Sequence, residues 1–90
     1  MKIMNIALII LVKNERPCLE VVLRRLPAAG GDSGYDQVWA VDGGSTDGSQ
    51  ELLESHGIKA LGQTRCGRGE AFHLVAREIS TDAFIFFSPD

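Results

Sequence analysis

Val38-Trp39-Ala40-Val41-Asp42-Gly43-Gly44-Ser45-Thr46-Asp47-Gly48-Ser49 is an apolar run that ends in an acid, followed by a glycine turn and a cluster of helix-capping residues. Such a junction sets a carboxylate at the carboxyl end of a strand, beside residues small enough for a ligand to approach the backbone. Strand ends of open α/β sheets are where these folds bind ligands. Asp42 is therefore a candidate acceptor for a nucleotide base or ribose, with Gly43 beside it. A second reading stays open: a tight strand-to-helix turn that needs Gly and Ser for its dihedrals alone.

Outward from this junction the chain alternates strands and helices. Ile3 to Val12 is rich in Ile, Leu and Val without polar alternation, which suits a parallel strand covered on both faces. Lys13-Asn14-Glu15 breaks the run, and Pro17 suits a first helical turn. Cys18, Val21, Val22 and Leu26 are expected on the buried face of that helix. Pro27 to Gly34 is rich in breakers and reads as a loop. Gln37 to Asp42 is the second strand, with Trp39 assigned to the core. A short helix runs from about Ser49 to His56, with Gly57 as its C-cap. Ile58 to Leu61 is a third strand. Gly67 to Ile79 is a third helix, with Phe72, Val75, Ala76 and Ile79 as its expected buried stripe. Ala83 to Phe87 is a fourth strand. The pattern β-α-β-α-β-α-β with short connections calls for a parallel sheet.

Composition sets limits on function. The 90 residues are 44% hydrophobic and 23% charged, with a formal net charge of -3. No basic run suggests a nucleic-acid footprint, and Ile6 to Val12 is far too short to span a bilayer. Cys18 and Cys66 lack metal-ligand spacing and are expected to be reduced and partly buried, in a cytoplasmic chain. His56 is expected to end its helix and His73 to face outward. Phe84-Ile85-Phe86-Phe87 is apolar on both faces, so the chain reads as the first half of a larger fold.

Four groups fall at strand ends or a helix start: Asn14-Glu15, Asp42, Arg68 and Asp90. In a parallel sheet these ends converge on one edge. Gly67-Arg68-Gly69 offers backbone N–H groups and a guanidinium to a diphosphate. Asp90 is a candidate ligand for a divalent cation bridging it. Each group also has a plainer role: Asp90 and Arg68 as solvated charges, Glu15 as an acid at a helix N-terminus. A dinucleotide fingerprint fails because Gly67-x-Gly69 lacks the third glycine and follows the third expected strand, not the first. A P-loop fails for want of Gly-Lys-Ser/Thr.

In this order, Lys13-Asn14-Glu15, Val41 to Gly48, Gly67-Arg68-Gly69-Glu70-Ala71 and Phe86-Phe87-Ser88-Pro89-Asp90 resemble one family. The chain is similar to the N-terminal half of GT-A-type glycosyltransferases of family 2, the group that includes dolichyl-phosphate mannosyltransferase-like enzymes. The resemblance implies strand order 3-2-1-4 and residues 1–90 as the nucleotide-sugar-binding half of the domain. It also implies a nucleotide-diphosphate sugar donor with Mn²⁺ or Mg²⁺. Asp42 matches the acid that reads the base, and Arg68 the basic residue near the base and phosphates. Ser88-Pro89-Asp90 lies on the Asp-x-Asp motif, whose last acid binds the metal. Ser88 stands in place of the first acid, and Lys13 in place of an aromatic that stacks on the base in some members. The donor contacts expected from this match are Lys13, Asn14, Glu15, Asp42, Gly43, Arg68 and Ser88. The general base and the acceptor pocket are expected beyond Asp90, so the segment alone is expected to be inactive. Placed at a sheet edge, the fourth strand is expected to pair with a second copy. The alternative is a non-catalytic nucleotide-binding or assembly half-domain.

Overall fold

The central strand accounts for the architecture. β1 (Ile6–Val12) is apolar at nearly every position, and Ala7, Leu8, Ile9, Ile10 and Val12 are all buried. Successive strand side chains point to opposite faces, so this run needs cover on both sides. The computed structural model describes residues 4–26, 34–62 and 68–88. Readings that concern Ile3, Pro27 to Ser33, Cys66, Gly67, the Arg68 side chain, Pro89 and Asp90 fall outside the described part.

Element order is β1, α1 (Arg16–Arg25), β2 (Gln37–Asp42), α2 (Ser49–Ser55), β3 (Lys59–Gly62), α3 (Arg68–Glu78) and β4 (Ala83–Phe87). The sheet runs β3-β2-β1-β4, as expected from the resemblance. All three pairings are parallel, with Val12 beside Asp42, Asp42 beside Gly62, and Ile10 beside Phe87. β1 begins at Ile6, and just before it the Asn5 carbonyl accepts the N–H groups of Asp82 and Ala83, which ties the start of β1 to that of β4.

One face of the sheet packs Ile10, Val12 and Ala40 on Leu19 and Leu23 of α1, Leu53 of α2 and Ile58. The other packs Ala7, Ile9 and Val41 on Ala71 and Val75 of α3 and on Ile79. Each Leu or Ile fully buried in these layers contributes roughly 1.5–3 kcal/mol before entropic costs.

Two helical faces differ from the expected ones. On α1 the buried residues are Leu19 and Leu23, while Cys18 and Val21 are exposed. Leu19, Leu23 and Leu26 follow i, i+4, i+7 and form the larger apolar stripe, which turns Cys18 outward as a free thiol. On α3, Ala71, Val75 and Ile79 take the i, i+4, i+8 face, whereas Phe72 and Ala76 are exposed. Phe72 instead meets Phe86, ring centroids 4.4 Å apart.

Trp39 is half-buried at the rim of the α3 layer rather than in the core. Its indole N–H, which needs an acceptor when removed from water, donates to Gln37 Oε1 at 3.0 Å. The α2 end follows the expected capping. Gly57 (φ +72) donates to the Glu54 carbonyl, and Ile58 donates to that of Leu53. This is the Schellman arrangement, closed by the apolar pair Leu53 and Ile58. His56 and His73 are exposed. Among the described residues no helix is long and apolar enough to cross a membrane.

Candidate functional site at the carboxyl edge

Strand order grows from β1 toward β2 on one side and places β4 on the other, so its direction reverses between β1 and β4. A crevice outside the carboxyl ends of strands forms at such a reversal. The loops bounding this one begin at Lys13 after β1 and at Ser88 after β4, with the Asp42 loop one strand further on.

Asn14 sets the shape of the first loop. It is the one non-glycine residue with positive φ (+50) among those described, a conformation that asparagine tolerates. The turn sends its N–H to Ser45 Oγ at 2.9 Å, while its Oδ1 accepts the Thr46 N–H at 2.8 Å. The loops after β1 and β2 are thereby clasped to each other, and Gly43 N–H closes the join on the Val12 carbonyl at 2.9 Å.

Asp42 is buried, with only 1% of its surface exposed. Its Oδ1 accepts the backbone N–H groups of Ser45 at 2.9 Å and Gly44 at 3.3 Å, and its Oδ2 accepts the Gln50 carboxamide. Burial by itself pushes the carboxyl pKa up. Donors from the Ser45 side chain and backbone, Gln50 and Gly44 outweigh it, and the net shift is downward. Asp42 is thus held as a carboxylate at neutral pH.

A second clamp joins the helix starts. Asp47 Oδ2 accepts the Arg16 N–H at 3.0 Å, and its Oδ1 accepts the Ser49 N–H at 3.2 Å and hydroxyl at 2.5 Å. The Ser49 hydroxyl, followed by the Arg16 N–H, draws the Asp47 pKa down. The Arg16 guanidinium reaches the carbonyls of Asp47 and Gly48, each at 3.4 Å, and Glu20 Oε1 at 3.1 Å. Gly48 has φ +86, and a Cβ there would meet Arg16 Nη1 at 2.1 Å.

The expected contacts are brought together in part. Asn14, Asp42 and Gly43 share the clasped loops. Lys13 is exposed, and Glu15 occupies the N-cap of α1 without a side-chain cap bond. Ser88 leaves β4 just after the Ile10–Phe87 pair. It lies two strands from Asp42, a separation of about 10 Å at ordinary strand spacing. Arg68 opens α3, and its side chain lies outside the described residues, as does Asp90. Among the described residues no three of His, Cys, Asp and Glu converge on a point.

Sequence reading named neither Arg16 nor Gln50, and took Ser45 and Asp47 only as members of the capping cluster and the family motif. The capping signal of Asp47-Gly48-Ser49 was read there. The Arg16 contact spans 31 residues of sequence and left no local trace. Beside Gln50 an open groove of about 740 Å³ runs along the β3 edge, lined by Trp39, Glu54, Lys59, Leu61 and Gly62 among others.

Comparison with known proteins matches residues 7–90 to the model of glycosyl transferase family 2. A curated relative, glycosyltransferase AglJ of Haloferax volcanii, is 45% identical over 40 residues, which are 44% of this chain and 13% of that protein. Among solved structures, glucosyl-3-phosphoglycerate synthase from Mycobacterium tuberculosis superposes with TM-score 0.82 in its complex with Mn²⁺, UDP-glucose and glycerol 3-phosphate. Its complex with Mn²⁺, UDP and glucosyl-3-phosphoglycerate gives 0.78. Identity is 23% in both, over 97% of this chain and 34% of that one. The likeness at this identity is one of fold. The chain spans about a third of the length of these solved relatives.

Proposed function

Because the chain belongs to glycosyl transferase family 2, we propose that it binds a nucleotide-diphosphate sugar and a divalent cation at the carboxyl edge of its sheet, for transfer of the sugar to an acceptor. One observation carries this reading. Asp42 is kept ionised at the end of β2 and held by loops that open onto the strand-order reversal. A carboxylate there accepts from a base N–H or a ribose hydroxyl. It repels bases that present a bare ring nitrogen.

In this reading Asn14 and Gly43 frame the base, with Lys13 and Glu15 beside them, and Arg68 and Ser88 are assigned to the sugar-phosphate. Asp90 is the proposed metal ligand. Support for it comes from the chain path, since Ser88 leaves β4 at the edge that holds Asp42. A site with one carboxylate is the kind Mg²⁺ completes with phosphate oxygens. Mn²⁺ or Mg²⁺ bound there would neutralise charge on the leaving diphosphate. Relatives of the same fold hold Mn²⁺ or Mg²⁺ with UDP, which is consistent with such a site.

Narrower parts of the proposal are that residues 1–90 form the donor-binding half of a GT-A domain and act in the cytoplasm. The subtype proposed is dolichyl-phosphate mannosyltransferase-like, and β4 is proposed to pair with a second copy. Exposure of Ile85 (46%), Phe86 (37%) and Phe87 (40%) supports that pairing, and sedimentation at micromolar concentration reads it.

Titration of UDP-, GDP- and dTDP-linked sugars, with and without Mn²⁺, tests the donor site. One nucleotide is expected to bind, more tightly with Mn²⁺. Absence of binding by all three under both conditions refutes the reading and favours an assembly module.

A further inference from the structure

We infer that the Gln50 carboxamide is an internal stand-in for the ligand at Asp42, displaced when the nucleotide binds. Gln50 is then a residue that sets affinity at this site. The inference rests on the donor-site reading above and deepens it.

The two oxygens of Asp42 are held by donors of different kinds. Oδ1 is tied to the backbone N–H groups of Gly44 and Ser45, which cannot leave without unfolding the turn. Oδ2 accepts from the end of a long side chain at the start of α2. Asp42 is buried whereas Gln50 is exposed, so part of the cover over the carboxylate is a side chain already in contact with water. Swinging that amide aside breaks no backbone bond.

The replacing group has matching chemistry. Uracil, thymine and guanine each carry a ring N–H next to a carbonyl, which is an amide like the side chain it would displace. Adenine and cytosine set a bare ring nitrogen against the carboxylate instead. There is also room for the exchange, because Gln50 itself lines the groove along β3.

A competitor for Asp42 stabilises the free protein and weakens binding, so its removal should move the two in opposite directions. The purified protein and its Gln50→Ala and Gln50→Leu variants are compared by thermal melting and by calorimetric titration with UDP, GDP and dTDP. Both variants are expected to melt at lower temperature without nucleotide. They should bind the accepted nucleotide about tenfold tighter, the equivalent of about 1.4 kcal/mol. Unchanged or weaker binding in both variants, with the wild type still binding, overturns the inference and leaves the donor site standing. Failure of the wild type and both variants to bind any of the three removes the donor-site reading itself, and the inference with it.

Discussion

The two ends of the sheet use the same side-chain chemistry for opposite purposes. At the amino edge, polar groups join one strand start to another. Asn5 N–H donates to Asp82 Oδ2 at 2.7 Å, and Ile6 N–H to Asp36 Oδ2 at 2.8 Å. The Gln37 amide reaches Asn5 Oδ1 at 2.6 Å, and the Thr81 hydroxyl donates to the Asn5 carbonyl at 2.9 Å. At the carboxyl edge, Asn14, Asp42 and Asp47 accept from N–H groups of loops and helix starts. Bonds of the first kind pin strand register, and nothing can replace them without disturbing the ladder. Those of the second kind shape loops around an acid, and one of its donors, Gln50, is an exposed side chain. Ligand exchange is therefore chemically open at one edge and closed at the other.

Paired substitutions break this contrast if it is wrong. Asp42→Ala is expected to abolish nucleotide binding, with a loss of about 100-fold or more, since hydrogen bonds to a charged group contribute roughly 1.5–3 kcal/mol each. Asn5→Ala is expected to lower stability by about 0.5–1.5 kcal/mol through loss of the Oδ1 acceptor shared by Gln37 and Thr81, with affinity unchanged. Denaturant melts and calorimetric titration measure both quantities. Equal loss of affinity in the two variants would erase the distinction between the edges.

The clamp between helix starts gives a smaller effect. Gly48→Ala forces an L side chain into φ +86 and against the Arg16 guanidinium. Gly57→Ala meets the same kind of strain at φ +72 with nothing within 4 Å. Strain of this sort costs about 1–2 kcal/mol. The second variant should lose about that much, and the first more, because Arg16 must also give up the Asp47 and Gly48 carbonyls. Identical melting temperatures for the two would mean that Arg16 holds nothing in place.

The strands were legible because period and turn chemistry are local, whereas their order followed from the family resemblance. An unbroken apolar β1, Asp42 before a glycine turn, and Gly57 before Ile58 each state their role within a few residues. Helix faces were less legible. Leu19 and Cys18 are adjacent and both apolar, and the surface that Leu19 packs on joins nearby Ile10 and Val12 to Ala40, Leu53 and Ile58 from far along the chain. The site divided in the same way. Asp42 stood out as an acid ending a strand, but its burial and its Gln50 partner depend on how α2 docks. The reach of Arg16 across the site was invisible because the Asp47 and Gly48 carbonyls belong to a different loop.

Acid sensitivity sharpens the comparison last and least. Burial raises the Asp42 pKa, yet its Ser45, Gln50 and Gly44 donors bring it below the ordinary 3.8. Asp47 is lowered from the same value, first by the Ser49 hydroxyl and then by the Arg16 N–H. A carboxyl whose pKa is depressed by folding adds stability above its unfolded pKa, and that stability is lost as pH falls through the folded value. The protein should therefore hold constant stability from these two groups between neutrality and about pH 5, then lose it below about pH 4. Asp47 lies in the more exposed position, so its share should shrink in high salt, while that of buried Asp42 persists. Thermal melts from pH 7 to pH 3, at low and at molar salt, test this with Asp42→Asn and Asp47→Asn. Asp42→Asn should flatten the acid limb at both salt concentrations, and Asp47→Asn at low salt alone. Curves for Asp42→Asn that run parallel to wild type through the acid limb would show that its loop donors hold the carboxyl no better than water does.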